Sequence, residues 1–141
     1  MFTRVLNLVA GLLLAASAGC SSPNSPDGPL HTEVTLQAGQ VTAVASTPLR
    51  VGFERVASDS RCPADALCIQ SGDALVVLKV AIDDRAGADI LLRTRGGTTG
   101  ENLTAVVAGY ELSVTGLQPY PVSSSPIAPG DYRVTLTVEK D

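Results

Sequence analysis

The chain has 141 residues, a length for one domain, and 45% of them are hydrophobic, which suits a packed core and argues against disorder. Its formal net charge is −4, and the basic residues are scattered along the chain rather than clustered. An acidic chain without a basic patch is a poor nucleic-acid binder, so that class of partner is set aside.

Residues 1–19 read as an export signal. Arg4 supplies a minimal positive region, and Val5–Ala18 (VLNLVAGLLLAASA) is an apolar run too short to span a bilayer, ending in small residues. The ending Ser17-Ala18-Gly19-Cys20 resembles a bacterial lipobox, with Ser17 standing where Leu is usual. That resemblance implies cleavage before Cys20 and acylation of its thiol, with palmitate or a similar chain. The membrane then becomes a partner through the lipid, at about 0.8 kcal/mol per buried methylene. The alternative is an ordinary signal peptide that leaves Cys20 a free thiol. Ser21 is not the Asp that retains Gram-negative lipoproteins at the inner membrane, so the expected address is the cell envelope, and the outer membrane in a Gram-negative source. Residues 20–29 (CSSPNSPDGP) lack apolar periodicity and read as a flexible tether.

From residue 30 to 141 the pattern is that of short strands with a period of two. Val34 and Leu36 alternate with polar neighbours, and Ala38-Gly39-Gln40 reads as a turn. Val41–Val44 follows, then Leu49, Val51 and Phe53, in a strand expected to end near Val56. Val76, Leu78, Val80 and Ile82 share one face of a strand that is apolar on most positions, the best candidate for a sheet centre. Asp83–Gly87 carries turn chemistry, Ile90 and Leu92 begin another strand, and Gly96–Gly100 reads as a loop. Arg93 and Arg95 fall on one face and read as solvent-facing. Ala105–Ala108 with Tyr110, Leu112 and Val114 make one or two strands. Tyr132, Val134, Leu136 and Val138 face inward in the last. No amphipathic helix is evident. The expected fold is a single all-β domain, an immunoglobulin-like antiparallel β-sandwich, with a small β-barrel as the alternative. Pro129–Val134 resembles the entry to a late immunoglobulin-like strand, where a tyrosine packs at a corner and hydrogen-bonds back to the chain; a plain core position for Tyr132 is the other reading.

The informative stretch is Asp59–Ala74, DSRCPADALCIQSGDA. Cys62 and Cys68 are spaced neither as C-x-x-C nor as a zinc knuckle, and His31 is the only histidine, so no metal site or redox motif is expected. In an oxidising compartment two such cysteines pair, and the entropy of the closed loop makes the bridge worth about 2–3 kcal/mol. Pro63 stiffens the ring behind Cys62, and Gly72-Asp73 reads as its exit turn. Asp59 and Arg61 either pair and structure the loop or orient a ligand. Ser60 has no nearby histidine for a catalytic triad. Asp59 with Asp65, and Asp83 with Asp84, could bind calcium, but the repeating acidic loop such a site needs is missing. Asn102-Leu103-Thr104 is a glycosylation sequon by pattern only.

The run from Asp59 to Val80 resembles a group of small, largely uncharacterised bacterial secreted lipoproteins. Asp59, Ser60, Arg61, Cys62, Pro63, Cys68 and Gly72 carry the resemblance, with LRVGFERV upstream and YRVTLTV near the end of the chain. Many of those proteins have an aromatic residue after the second cysteine, where this chain has Ile69-Gln70-Ser71. The resemblance implies membership but no activity. Two functions remain. One is a non-catalytic binding or structural module that presents the stapled loop to an envelope protein, a protease-inhibitor-like loop being one form of it. The other is a hydrolase using Asp59 or Asp65. No cofactor and no catalytic residue are expected under the first.

Overall fold

The computed structural model describes residues 30–94 and 101–141. The expected signal peptide, the tether with Cys20, and the Gly96–Gly100 loop lie outside the described residues. Eight strands follow in chain order: β1 (His31–Gln37), β2 (Val41–Ala43), β3 (Leu49–Asp59), β4 (Ala74–Ile82), β5 (Ala88–Arg93), β6 (Thr104–Val107), β7 (Tyr110–Gln118) and β8 (Arg133–Lys140). They form two antiparallel four-stranded sheets, ordered β1-β8-β7-β6 and β2-β3-β4-β5. The fold is thus the expected β-sandwich and not a closed barrel. Within each sheet neighbouring strands are consecutive in the chain, except that β1 lies beside β8, so the connectivity is a meander.

The core forms where the two inner faces meet. Leu49, Val51 and Phe53 of β3, Val76, Leu78 and Val80 of β4, and Leu92 of β5 face Leu36, Leu112, Val114, Leu117, Val134, Leu136 and Val138 of the other sheet. Each fully buried aliphatic contributes about 1.5–3 kcal/mol. β4 does lie inside its sheet, between β3 and β5, as its nearly continuous apolar run implies.

Two strands run further than alternation suggests, and the cause is the same in both. β3 carries register shifts between Phe53 and Arg55 and between Val56 and Ser58. Each shift adds an outward residue, so Phe53, Val56 and Asp59 turn inward while Glu54, Arg55, Ala57 and Ser58 stay exposed. The strand therefore ends at Asp59 and not near Val56. In β7 a shift between Val114 and Gly116 lets both Val114 and Leu117 reach the core.

Tyr132 does not lie inside the last strand. It follows a 3-10 turn at Pro129–Asp131 and immediately precedes β8. Its ring is buried and its carbonyl accepts from the Ala38 amide at 3.0 Å.

The strand register also defines two poles. His31 pairs with Glu139, and Tyr110 with Lys140, at one end. Gln37 and Gln118 flank Arg133 at the other. The length of β8 separates them by about 20 Å. The chain preceding residue 30 joins at the His31 pole.

Candidate functional site: a stapled loop on a charged clasp

The β3–β4 hairpin continues past its strands. The Ser60 amide donates to Asp73 O at 2.8 Å, and the Cys62 amide to Ser71 O at 2.8 Å. The Ser60 hydroxyl also donates to Asp73 O at 2.9 Å. Cys62 and Cys68 are disulfide-bonded, with Cα atoms 5.9 Å apart. Gly72 makes this narrow neck possible. Its φ is +64°, and a Cβ there would lie 1.8 Å from Ser60 O.

Below the neck sits a buried arginine. Arg61 is 8% exposed. Its Nε donates to Asp59 Oδ1 at 2.9 Å and its Nη2 to Asp59 Oδ2 at 2.7 Å, a bidentate pair. Nη1 donates to Leu117 O at 2.6 Å and Nη2 also to Pro119 O at 3.0 Å. Tyr120 covers the guanidinium, its ring centroid 5.1 Å from Cζ. The Tyr132 hydroxyl donates to Asp59 Oδ2 at 3.1 Å, a side-chain partner rather than the backbone bond expected of a corner tyrosine. Asp59 ends β3 and Arg61 follows it, Leu117 belongs to β7, and Tyr132 precedes β8, so this clasp joins the two sheets. It does so at the pole opposite His31.

The electrostatics follow from these contacts. Burial alone would raise the Asp59 pKa, but the hydrogen bonds and charge of Arg61, helped by the Tyr132 hydroxyl, hold it below its ordinary value. Tyr132 is shifted upward, first by burial and then by the Asp59 charge. A carboxylate held ionised by a neighbouring guanidinium is a poor general acid and a weakened base. Asp65, the other candidate acid, accepts from the Ser123 amide at 2.8 Å and the Ser123 hydroxyl at 3.1 Å, and the amide bond is the main cause of its lowered pKa. The Ala64 amide donates to Pro121 O at 2.9 Å. Asp59 and Asp65 thus serve different partners and do not converge. Among the described residues, no group of three or more His, Cys, Asp or Glu side chains is placed to hold a metal.

A cleft of about 270 Å³ opens beside Arg61, between Gly72, Thr94, Gly116 and Leu117, and among the described residues no carboxylate or histidine lines it. A second, of about 300 Å³, is lined by Asp59, the single carboxylate there among the described residues, beside Ser123, Ser124 and Tyr132.

The sequence reading missed several members of this site. Arg93, read as solvent-facing, donates from Nη1 to both Asp73 oxygens at 3.0–3.1 Å and closes the far side of the neck. The Thr94 hydroxyl accepts from the Ala74 amide at 2.9 Å. Leu117, Pro119 and Tyr120 carry no sequence signal for their role. Neither do Leu67 and Ile69, which read as ordinary apolar residues but stand fully exposed on either side of Cys68.

Comparison with known proteins adds no constraint: no family model, curated protein or solved structure matches this chain.

Proposed function

We propose that this protein is a lipid-anchored, non-catalytic binding module of the bacterial cell envelope, with the Cys62–Cys68 loop as its binding element. One observation carries the reading. Leu67 and Ile69 are fully exposed on a tip whose base is fixed by the disulfide, the Arg61 clasp and the bonds to Pro121 and Ser123. Isolated exposed aliphatics are ordinary on protein surfaces. Here they stand together at the apex of a preorganised loop, where binding loses little conformational entropy. The use already made of Asp59 and Asp65 speaks against the hydrolase reading. The lipid anchor rests on the Ser17–Cys20 run.

A photo-crosslinking amino acid at position 67, introduced in the native cell, tests the binding role. A discrete protein adduct that is absent when the probe stands at exposed Leu91 supports the proposal. Equal diffuse labelling from both positions overturns it. An alkyne fatty acid should label the wild type and not Cys20→Ser, and equal labelling of both removes the anchor.

A further inference from the structure

We infer that the stapled loop occupies the substrate cleft of an endopeptidase that accepts a large aliphatic side chain, with Leu67 as the residue in its specificity pocket. This rests on the binding-module reading and names its partner class.

The apex has what such a cleft reads. An endopeptidase recognises main-chain amides and carbonyls together with one or two protruding side chains. Among the described residues, Leu67, Cys68, Ile69 and Gln70 make no hydrogen bond with their main-chain groups, while residues on both sides of them are tied down. Free donors and acceptors thus flank two fully exposed aliphatics. The flanking ties are Cys62 to Ser71, Ala64 to Pro121, and Asp65 to Ser123. The segment is therefore fixed at its base and open at its tip, the arrangement in which a bound loop loses least entropy.

The disulfide adds a consequence for turnover. The peptide bond between Leu67 and Cys68 lies inside the Cys62–Cys68 ring. Hydrolysis of that bond by one water would create a carboxylate on Leu67 and an amine on Cys68. Leu67 would stay joined through residues 63–66 to Cys62, and Cys68 would stay joined to Cys62 through sulfur. Both new ends remain in one covalent piece, so the cut does not release the loop as product.

A bilayer fits the apex less well. Unbonded amides and carbonyls are costly in hydrocarbon, where nothing satisfies them. Asp65 lies in the same ring, and residues 62–78 contain no Lys or Arg to meet anionic headgroups. A protein cleft can satisfy those main-chain groups, and lipid cannot.

The test uses the full chain in detergent micelles against subtilisin and chymotrypsin, two serine endopeptidases that accept leucine, with a small chromogenic peptide as reporter. Competitive inhibition at about 10 μM or below is expected, weakened about 100-fold by Leu67→Asp and unchanged by Leu91→Asp. Leu67 is fully exposed, so Leu67→Asp should leave the melting temperature unchanged and report on recognition alone. No inhibition at about 100 μM, or equal inhibition by Leu67→Asp, overturns the inference. So does Leu67-dependent flotation of Cys20→Ser protein with phosphatidylcholine and phosphatidylglycerol vesicles, which would assign the tip to membrane. A discrete adduct from position 67 in cells without inhibition sinks the endopeptidase and leaves the binding module standing. Absence of both sinks both.

Discussion

Arg61 is the residue on which the two sheets depend most at the loop pole. Four of its guanidinium hydrogen bonds go to Asp59, Leu117 and Pro119. Removing one partner of a buried ion pair leaves the other charge uncompensated, at about 3–5 kcal/mol. Arg61→Met should therefore lower the melting temperature of the domain by about 15 °C or more, measured by circular dichroism. Asp59→Asn keeps an acceptor for Tyr132 but leaves the buried Arg61 guanidinium without its counter-charge, so it should cost a similar amount, about 3–5 kcal/mol. Full stability in both variants would show that the clasp is dispensable. The same pair sets a pH dependence. The folded pKa of Asp59 lies below its ordinary value of 3.8, so the unfolded chain binds the proton more readily. The contribution is complete above about pH 4 and disappears as pH falls through the lowered folded value. Wild-type stability should drop across that acid window, and the drop should shrink in Asp59→Asn. Gly72 gives a second test at this scale. Gly72 and Gly109 both have positive φ, +64° and +78°, but only Gly72 has a neighbour in the way. Gly109→Ala should cost about 1–2 kcal/mol for its conformation alone. Gly72→Ala must also displace the Ser60 carbonyl, and should cost about 3 kcal/mol or more or fail to close the loop. Equal melting temperatures for the two variants would refute the steric argument.

Among the elements, the β3–β4 hairpin and its stapled end are the most informative. Replacing Cys62 and Cys68 by alanine releases a short ring, worth about 2–3 kcal/mol in the chain-entropy model, so the melting temperature should fall by about 10–15 °C. The β-rich far-ultraviolet spectrum should remain, because neither cysteine belongs to the core between the sheets. Loss of the folded spectrum would make the bridge a condition of folding. The strands themselves were largely legible in the sequence. Val76, Leu78 and Val80, like Val134, Leu136 and Val138, keep strict alternation and are buried as that pattern requires. Legibility failed where alternation broke. Glu54-Arg55 and Ala57-Ser58 interrupt the apolar period of β3, and only pairing with β4 shows that they are bulges rather than an end. The Cys62–Cys68 pairing was legible from the short spacing and the expected exported address, both read from local sequence. The clasp was half visible: Asp59 and Arg61 are sequence neighbours, but Leu117 lies 56 residues away and contributes a main-chain oxygen. A carbonyl acceptor leaves no trace in residue type, and neither does exposure, which is why Leu67 and Ile69 passed unnoticed.

At the scale of the whole molecule, the chain enters the sandwich at the His31 pole and presents its loop at the other. His31 pairs with Glu139 at the end of β8, while Arg61 reaches Leu117 and Pro119, which flank the partner of Arg133 at its beginning. A lipid on Cys20 would attach the domain through its far end, and the expected orientation turns Leu67 and Ile69 away from the bilayer. The sequence offers a clean probe of that orientation, because the chain contains no tryptophan. Leu67→Trp places a single tryptophan at a fully exposed site without disturbing a core contact. With the acylated protein anchored in vesicles, its emission should stay at the long wavelength of a hydrated indole. Acrylamide in the aqueous phase should quench it, and brominated acyl chains should not. Both the polarity of the sandwich and the unbonded main chain at the apex oppose insertion, the first by distance and the second by the cost of unsatisfied amides in hydrocarbon. Strong quenching by the brominated lipid would mean that the domain folds back onto its own membrane, and the loop would then be a second attachment to the surface rather than a reach away from it.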